Sequence, residues 1–457
     1  MTLQAFRDTL NVSNPIEFLR NGLIGEGMIL PNGKPLVYAD YVASGRALIQ
    51  VEDYITRHVL PFYANTHTDT SFTGAYSTKL REEARGEIAR LTKAEECSVI
   101  FAGSGATAGL NRLVALTGIA QAENPVVFLG PYEHHSNILP WRESKAKVIE
   151  IPEADGGGPD LVVLEAALRE HADADLKIGT FSAASNVTGV ITDTDPVTRI
   201  LKAHGALAIW DYAGGAPYLS IDMGTGTDAE KDAVVLSAHK FPGGPAASGI
   251  LIVRDSAVRL DIPSWPGGGT VEFVSPWEHD YTDDIATREE AGTPNVIGDI
   301  RAALVFMVKD AIGQETITAR EHELNAMAFS GWANNPHMTM LGVDKPNRLP
   351  IFSFLVKDAE GMQIDPQVFT RELSARYGIQ ARGGCACAGP YGHRLLGIDR
   401  ATSDRLRVEI LAGNEAAKPG WVRLNFSYLM RDETVQFIID SVNELTHAMA
   451  GAARISA

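Results

Sequence analysis

The segment AVVLSAHKFPGGP, Ala233–Pro245, decides which fold this chain of 457 residues adopts. Its first five residues form a short, continuous apolar run, typical of a strand buried in a parallel sheet. Lys240 and a Gly/Pro loop follow at once. Ligands bind at the carboxyl ends of parallel strands. Lys240 is therefore predicted at the mouth of a sheet, where burial makes a lysine nucleophilic. A surface lysine after a strand is the alternative.

The same pattern recurs between residues 96 and 254. The other apolar runs are Ser98–Ala102, Val126–Gly130, Lys147–Ile151, Lys177–Ser182, Leu207–Asp211 and Gly249–Val253. Helical periodicity separates several of them, as in Leu161–His171 and Pro196–His204, and it also marks Thr78–Thr92. Strands that alternate with helices predict an α/β fold with a mostly parallel sheet between helices.

After about residue 300 the order of elements changes. Helix-like and strand-like segments then follow in α+β order: Ile300–Ala311, Glu315–Ala328, Leu349–Val356, Asp365–Tyr377, Gly420–Ser427 and Asp432–Ala448. This order predicts a second, smaller domain. We assign residues 30–305 to a large domain, and residues 1–29 and 306–457 to the small one.

Charge and composition exclude some classes of binding partner. A net charge of −17 repels phosphate polymers and anionic bilayers, so neither a nucleic acid nor a membrane is expected as a partner. No apolar stretch approaches the roughly 20 residues of a membrane span, and the N-terminus lacks the pattern of a signal peptide. The three cysteines, Cys97, Cys385 and Cys387, do not suggest a disulfide framework. We expect a cytoplasmic protein.

Asp211 ends an apolar run about one strand–helix–strand unit before Lys240, so both side chains can face the same crevice. Pyridoxal phosphate (PLP) needs these two groups, a lysine for a Schiff base and a carboxylate that keeps the pyridine nitrogen protonated. The alternative for Asp211 is a turn or cap residue.

The segment FAGSGATAGLN, Phe101–Asn111, predicts a phosphate site. Small residues let backbone N–H groups approach a phosphate at a helix N-terminus, and Thr107 adds a hydroxyl. Gly103-x-Gly105-x-x-Ala108 also matches a dinucleotide fingerprint. An NAD-binding oxidoreductase expects an acidic residue at the end of the next strand, but Gly130 stands there.

Two further loops carry reactive side chains. PYEHHSN, Pro131–Asn137, places His134 and His135 after a strand, where an imidazole can stack on an aromatic cofactor and move protons. RGGCACAGP, Arg382–Pro390, holds two thiols beside an arginine that favours the thiolate. A zinc site completed by His393 and a pair of inert core cysteines are the rival interpretations of the second loop.

Together these motifs resemble the class V, fold-type I PLP enzymes: cysteine desulfurases, selenocysteine lyases and the sulfurase domain of molybdenum-cofactor sulfurases. The resemblance is colinear from about Leu36 to about Leu445. It runs through Tyr38–Ser44, Gly105–Thr107, Glu133–His135, Ser185–Gly189, Asp211, Ser237–Lys240, Gly267–Thr270, Glu290–Asn295, Cys387 and Arg423–Asn425. It implies a large domain with a mostly parallel seven-stranded sheet sandwiched by helices.

The resemblance also implies a cofactor site. Lys240 would form the Schiff base with PLP and move protons at the substrate's α-carbon. Asp211 would pair with the pyridine nitrogen, His134 would stack on the ring, and Asn186 would lie near the ring oxygen and the substrate carboxylate. The phosphate would contact Ala106, Thr107, Ser237 and His239, and Thr270 of a neighbouring subunit, which implies a homodimer.

For the substrate, the resemblance implies a cysteine-like amino acid whose carboxylate binds Arg423, with Arg382 as a second arginine and no metal. The Cys387 thiolate would attack the substrate's sulfur or selenium, leaving alanine and an enzyme persulfide for an acceptor protein or thiol. The implied catalytic residues are therefore Lys240, Cys387 and His134.

Three features depart from the family pattern. Gly214 replaces a frequent glutamine, the segment 395–421 lengthens the gap before Arg423 and can reshape the entrance to the site, and Cys385 sits beside the expected thiol. A class V aminotransferase, epimerase or other lyase acting on another amino acid therefore stays open. A non-enzymatic sulfur carrier would leave Lys240 and Asp211 unexplained.

Overall fold

The computed structural model describes residues 2–66 and 68–452. Its α-helices are α1 (Leu3–Leu10), α2 (Pro15–Arg20), α3 (Ile49–Tyr54), α4 (Phe72–Thr92), α5 (Gly105–Leu116), α6 (Leu139–Arg142), α7 (Leu161–Glu170), α8 (Thr194–Ala203), α9 (Ile285–Glu289), α10 (Val296–Ile312), α11 (Gln314–Trp332), α12 (Pro366–Tyr377), α13 (Gly389–Leu395), α14 (Arg400–Leu411) and α15 (Asp432–Ala452). Its strands are β1 (Val37–Tyr38), β2 (Cys97–Gly103), β3 (Pro125–Leu129), β4 (Lys147–Glu150), β5 (Leu176–Ser182), β6 (Leu207–Asp211), β7 (Ala233–Ser237), β8 (Gly249–Arg254), β9 (Val271–Val274), β10 (His279–Tyr281), β11 (Met338–Met340), β12 (Ile351–Val356), β13 (Ile379–Gln380), β14 (Arg382–Gly384) and β15 (Trp421–Asn425).

The seven apolar runs of the sequence form one seven-stranded sheet in the order β2-β8-β7-β6-β5-β3-β4. From β7 to β4 every neighbouring pair is parallel, and β8 runs antiparallel to both of its neighbours, β2 and β7. The α/β class and the mostly parallel sheet predicted from the sequence are confirmed. The predicted strands β6 and β7 begin and end at the predicted residues.

The strands of this sheet are buried on both faces. In β7, Val234 and Leu236 pack into one hydrophobic core, whereas Ala233 and Val235 pack into a second core on the opposite face. Successive side chains of a strand point to opposite faces, so a strand covered by helices on both sides needs apolar residues at every position. Each buried branched aliphatic side chain contributes roughly 1.5–3 kcal/mol. This burial holds the strands in place, and it therefore also fixes the positions of the polar side chains at their ends.

The second sheet is antiparallel, with the order β11-β12-β15-β14. Its core contains Phe352 and Phe354 of β12 together with Trp332 of α11, Leu373 of α12 and Ile439 of α15. These elements have the α+β order that the sequence predicts for the C-terminal region. Position 305 lies inside α10, and the division into domains at 30–305 stays a prediction.

Helix ends differ from the predicted ends where a cap decides them. Helix α4 begins six residues before Thr78, because the Ser71 hydroxyl accepts a hydrogen bond from the Gly74 N–H at 3.2 Å and caps the helix there. Helix α14 lies in the segment 395–421, where no helix was predicted. Among the described residues, no helix is long and apolar enough to cross a bilayer. The cytoplasmic location stays a prediction.

We predict that Gly249→Ala destabilises the protein. A Cβ at position 249 would lie 2.4 Å from the Gly105 backbone, and overpacking of this kind costs about 1–3 kcal/mol. The midpoint of thermal unfolding, followed by circular dichroism, should therefore fall. Gly86→Ala is the control: Gly86 lies exposed in α4 with open space around it, and alanine is favoured there by about 0.5–1 kcal/mol. Equal midpoints for the two variants would contradict this packing.

Candidate active site

The carboxyl ends of the parallel strands surround a cavity of about 250 Å³. Strands β2, β3, β5, β6 and β7 each end beside it, as expected for a parallel sheet. Of the residues predicted for the site, the following line it: Lys240, Asp211, His134, Ala106, Thr107, Asn186, Ser237, His239, Arg423, Arg382 and Cys387. Strands β14 and β15 supply the two arginines, so the cavity lies between the two sheets.

Lys240 and Asp211 lie at the ends of adjacent strands, β7 and β6. Burial lowers the pKa of the Lys240 amine to about 8, opposed by the negative charge of Asp211 and aided by the Arg423 guanidinium. Burial raises the pKa of Asp211, against the hydrogen bond from the Ala213 N–H at 2.7 Å and the charge of Lys240. The amine is thus available in its neutral, nucleophilic form near neutral pH.

His134 presents a neutral imidazole to the cavity. Burial first, and then the positive charge of Lys240, lower its pKa to about 4. Its Nδ1 accepts a hydrogen bond from the Ser136 N–H at 3.1 Å, which fixes the ring orientation and leaves the proton on Nε2. A neutral ring held in this way can lie against the face of an aromatic cofactor.

The N-terminus of α5 lines the end of the cavity where the phosphate is predicted. The Ser237 hydroxyl accepts a hydrogen bond from the Ala106 N–H at 3.0 Å, so its own proton is free to be donated. Gly105 has a φ of +64°, and a Cβ there would lie 2.8 Å from Ser237 Oγ. The first N–H groups of a helix lack partners within the helix and favour a negative charge. Thr107 and His239 complete this end.

Asp40 joins the two arginines of the site. Arg423 and Arg382 are cross-strand partners in β15 and β14, and like charges in that position repel each other. One Asp40 oxygen accepts a hydrogen bond from Arg423 Nη2 at 3.0 Å, and the other pairs with Arg382 Nη2 at 3.0 Å. Arg423 is buried, and its Nε has no hydrogen-bond partner. The site therefore keeps an unused donor on a buried arginine.

Cys387 lies in a tight turn at the edge of the cavity. The Ala388 N–H donates to the Cys385 carbonyl at 3.3 Å, and both central residues have positive φ, 48° for Ala386 and 56° for Cys387. The left-handed region costs a non-glycine residue about 1–2 kcal/mol. The Cys387 residue is exposed, so its thiol can face both the cavity and the solvent.

Asn186 and Gly214 lie next to each other in the lining of the cavity. The Asn186 side chain donates to the Ala386 carbonyl at 2.8 Å, and the Asn186 backbone carbonyl accepts from Arg423 Nη1 at 3.1 Å. A Cβ at Gly214 would lie 3.3 Å from the Ala184 carbonyl oxygen and 3.8 Å from Asn186 Cβ. A glutamine at position 214 would therefore need its neighbours to shift.

Thr270 does not line this cavity. It is buried within its own chain, and its hydroxyl donates to the Gly267 carbonyl at 2.7 Å. Its predicted contact with a neighbouring subunit's phosphate stays a prediction. Among the described residues, none of the segment 395–421 lines the cavity either.

The zinc interpretation of the cysteine loop has no support from the position of His393. Its Nδ1 contacts the Gly389 carbonyl at 2.8 Å and its Nε2 contacts Ser403 Oγ at 2.9 Å. Both ring nitrogens are engaged away from the thiols. In the part of the chain that the structure describes, no three His, Cys, Asp or Glu side chains form a group suited to a metal ion.

Asp40 and Glu133 were not predicted as site residues, although they lie in the motifs Tyr38–Ser44 and Glu133–His135. Glu133 is buried, and burial raises its pKa to about 8. Its carboxylate accepts hydrogen bonds from the Ser182 N–H and hydroxyl and from the Asn137 side chain, at 2.6–2.7 Å. A carboxylate beside a histidine pair, four residues before Asn137, was the available signal, but its other partner, Ser182, lies 49 residues away in sequence.

These residues fit PLP. A buried carboxylate and a lysine whose pKa burial lowers to about 8 line the same cavity, as the pyridine nitrogen and the aldehyde require. A glycine-dependent helix N-terminus with Ser237, Thr107 and His239 suits the phosphate. Lys240, Asp211 and His134 would hold the ring.

Comparison with known proteins points to one family. The family model described as Aminotransferase class-V matches residues 37–436. A probable cysteine desulfurase of Halalkalibacterium halodurans is 28% identical over 364 residues, 79% of this chain and 86% of that protein. A probable cysteine desulfurase of Staphylococcus aureus (strain COL) is 27% identical over 364 residues, 79% of this chain and 84% of that protein.

Solved structures share the fold. The apo structure of a cysteine desulfurase from Thermococcus onnurineus NA1 has a TM-score of 0.76 and 24% identity, covering 94% of this chain and 98% of that one. The cysteine desulfurase CsdA from Escherichia coli, in an S-sulfonic acid form, has a TM-score of 0.72 and 21% identity, covering 96% of this chain and 100% of that one.

The lowered pKa of Lys240 predicts how cofactor-free protein captures added PLP. The rate of attachment should rise through about pH 8 and then level off, because the neutral amine is the reactive form. Borohydride trapping and peptide mass spectrometry between about pH 6 and about pH 10 measure this rate. Asp211→Asn should move the midpoint to lower pH, since Asp211 stabilises the ammonium ion. A rate that climbs to about pH 10, as for a free lysine, would be incompatible with this burial.

Proposed function

The chain belongs to the family of class-V aminotransferases, which are PLP-dependent enzymes, and we propose that it is a cysteine desulfurase. It removes sulfur from L-cysteine, releases alanine and holds the sulfur as a persulfide on Cys387. The observation that carries this proposal is that Lys240, Arg423 and Cys387 line one cavity. The curated relatives named as probable cysteine desulfurases support it.

Lys240, Asp211 and His134 hold the cofactor ring in this proposal. When bound, PLP stores the electron pair released at the substrate's α-carbon. Asp211 supplies the negative charge opposite the pyridine nitrogen, and burial makes that pairing stronger than it would be in water. The neutral amine of Lys240 takes up and returns the proton of the substrate's α-carbon. Ala106, Thr107, Ser237 and His239 hold the phosphate.

Arg423 binds the substrate carboxylate. Its guanidinium has a planar fork that suits a carboxylate, and its buried Nε has no hydrogen-bond partner within the protein. Asp40 and the Asn186 carbonyl occupy its other nitrogens and set its orientation. Arg382 is exposed and also pairs with Asp40, so it adds positive charge at the outer side of the site.

Cys387 takes the sulfur. Its thiolate attacks the substrate's sulfur, a sulfur–sulfur bond forms, and the carbon–sulfur bond breaks. The electron pair of the broken bond stays on the substrate's carbon, which then gains a proton and leaves as alanine. Because Cys387 is exposed, the persulfide is open to an acceptor protein or a small thiol. Selenium in selenocysteine would follow the same steps.

We predict that Cys387→Ser lowers alanine formation from L-cysteine by more than about 100-fold, as the loss of a nucleophile does. Alanine and persulfide are measured by mass spectrometry with a dithiol reductant present. Cys97→Ser is the control, because burial raises the pKa of the Cys97 thiol to about 11 and it lies outside the cavity. Cys385→Ser shows whether the second thiol contributes.

A panel of other amino acids separates this proposal from its alternative. Alanine formed from cysteine, with no turnover of other amino acids, supports desulfuration. Full turnover of cysteine by Cys387→Ser would rule out the thiolate's role. Transamination or epimerisation of another amino acid would make the chain a different class-V enzyme.

We also propose a homodimer. The hairpin β9–β10 and the loop before it expose large apolar side chains, including Trp277 (89% exposed), Trp265 (70%), Val274 and Phe273. Trp265 lines a second cavity that shares Ser104 and Thr107 with the phosphate end of the site. An apolar patch of this kind marks an interaction surface. A second copy of this chain is the partner that would cover it beside the active site.

Light scattering during gel filtration tests the dimer. The wild-type protein should show twice the mass of one chain, and the double variant Phe273→Asp, Trp277→Asp should show the mass of a single chain, since buried charges oppose association. Val162→Asp changes an equally exposed apolar residue on α7 (79% exposed) and should leave the dimer intact. A monomeric wild-type protein would refute the proposal.

A further inference from the structure

The turn that carries Cys387 depends on outside support. Ala386 and Cys387 both adopt positive φ values, a conformation that β-turns with two left-handed central residues normally reserve for Gly, Asn or Asp. A strained backbone of this kind persists only where the surrounding structure determines it. Residues outside the turn must therefore hold it in this conformation.

His135 makes two hydrogen bonds to this turn and the residue after it. Its backbone N–H donates to the Cys387 carbonyl at 2.9 Å, and its ring Nε2 accepts from the Gly389 N–H at 2.9 Å. His135 thus contacts the backbone at Cys387 and again at Gly389, two residues later. Because Nε2 accepts a hydrogen bond, the ring carries its proton on Nδ1. Burial lowers the pKa of His135, which favours this neutral form.

The segment that contains His135 is anchored to the large sheet. Two residues before His135, the Glu133 carboxylate binds the end of β5 through the Ser182 N–H and hydroxyl. The Asn137 side chain donates to the same carboxylate at 2.6 Å. Between them, His134 faces the cavity. The segment 133–137 therefore joins the large sheet, the site and the cysteine turn, so the position of Cys387 is set relative to Lys240.

The rest of the turn is anchored separately. The Asn186 side chain donates to the Ala386 carbonyl at 2.8 Å. Ala388 is fully buried against a small apolar cluster that contains Tyr132, Tyr391 and Trp421. These contacts hold the two sides of the turn, and His135 holds the peptide of Cys387 itself.

We propose that His135 is a positioning residue for sulfur transfer, which holds the strained turn so that the Cys387 thiol faces the substrate. This inference rests on the proposed desulfurase function. The ring contributes through Nε2, so its contribution can be removed while the backbone N–H remains.

Three variants distinguish the effect of losing the hydrogen-bond acceptor from the effect of changing the volume of the side chain. His135→Ala removes the ring, His135→Met keeps its reach without a strong acceptor, and His135→Gln places an acceptor at a similar reach. Alanine and methionine should lower kcat for sulfur transfer by about 10- to 100-fold, because small misplacements of reacting groups have effects of that size. KM for cysteine and the cofactor's absorbance should stay unchanged, and glutamine should recover most of kcat.

Hydrogen exchange gives a readout independent of turnover. Amides in the peptide 385–389 should exchange about 10-fold faster in the alanine and methionine variants than in the glutamine variant, since local opening is easier without the bond. Unchanged exchange, or full kcat in both variants lacking the acceptor, would overturn the role of His135. If Cys387→Ser abolishes turnover while those variants keep it, this inference fails and the desulfurase proposal stands. If Cys387→Ser keeps turnover, the desulfurase proposal fails, and exchange alone decides whether His135 holds the turn.

Discussion

A lysine amine and a carboxylate are kept out of water at the ends of two adjacent parallel strands, and the rest of the site is arranged around them. Burial opposes the charge on both groups, lowering the pKa of Lys240 and raising that of Asp211, while each charge partly stabilises the other. Burying such a pair of ionisable groups costs folding free energy, so stability alone does not account for it. Strands β6 and β7 sustain it because their side chains before Asp211 and Ser237 are apolar and pack on both faces of the sheet.

A second electrostatic constraint brings the smaller sheet to the cavity. Arg423 and Arg382 face each other on paired strands, and Asp40, from the segment after β1, lies between them. One carboxylate relieves the repulsion of two cations and also fixes their directions. The N-terminal segment is thereby part of the site although it is far from both arginines in sequence. Removing Asp40 would leave a buried arginine beside a like charge, and the deeper guanidinium would lose its orientation as well as its partner.

Most of what could be predicted about the fold and the site came from local sequence patterns. Continuous apolar runs predicted the strands of the large sheet, because burial on both faces requires such runs. Residues placed just after strands, such as Lys240, Asp211 and His134, were predicted to meet because parallel strands end at one edge. The ion pairs of Asp40 and the contact of His135 with the cysteine turn were not predicted, since the partners are separated from these residues by about 340 and 250 residues and no local pattern encodes such a pair. The α14 helix was missed because none of its residues is fully buried, so its sequence lacks a strong apolar stripe.

The two ends of the cavity are built differently, and the difference suits their chemistry. The end around Lys240 consists of strand termini and a helix N-terminus, rigid elements that would hold a bound ring and phosphate in place. The end around Cys387 is a turn in a strained conformation, held by hydrogen bonds from His135 and Asn186 and open to solvent. A thiol that takes sulfur from a buried substrate and passes it to an acceptor must be accessible from both sides. A turn at the edge of the cavity meets that requirement, whereas a residue within a strand of the sheet would be accessible only from within the site.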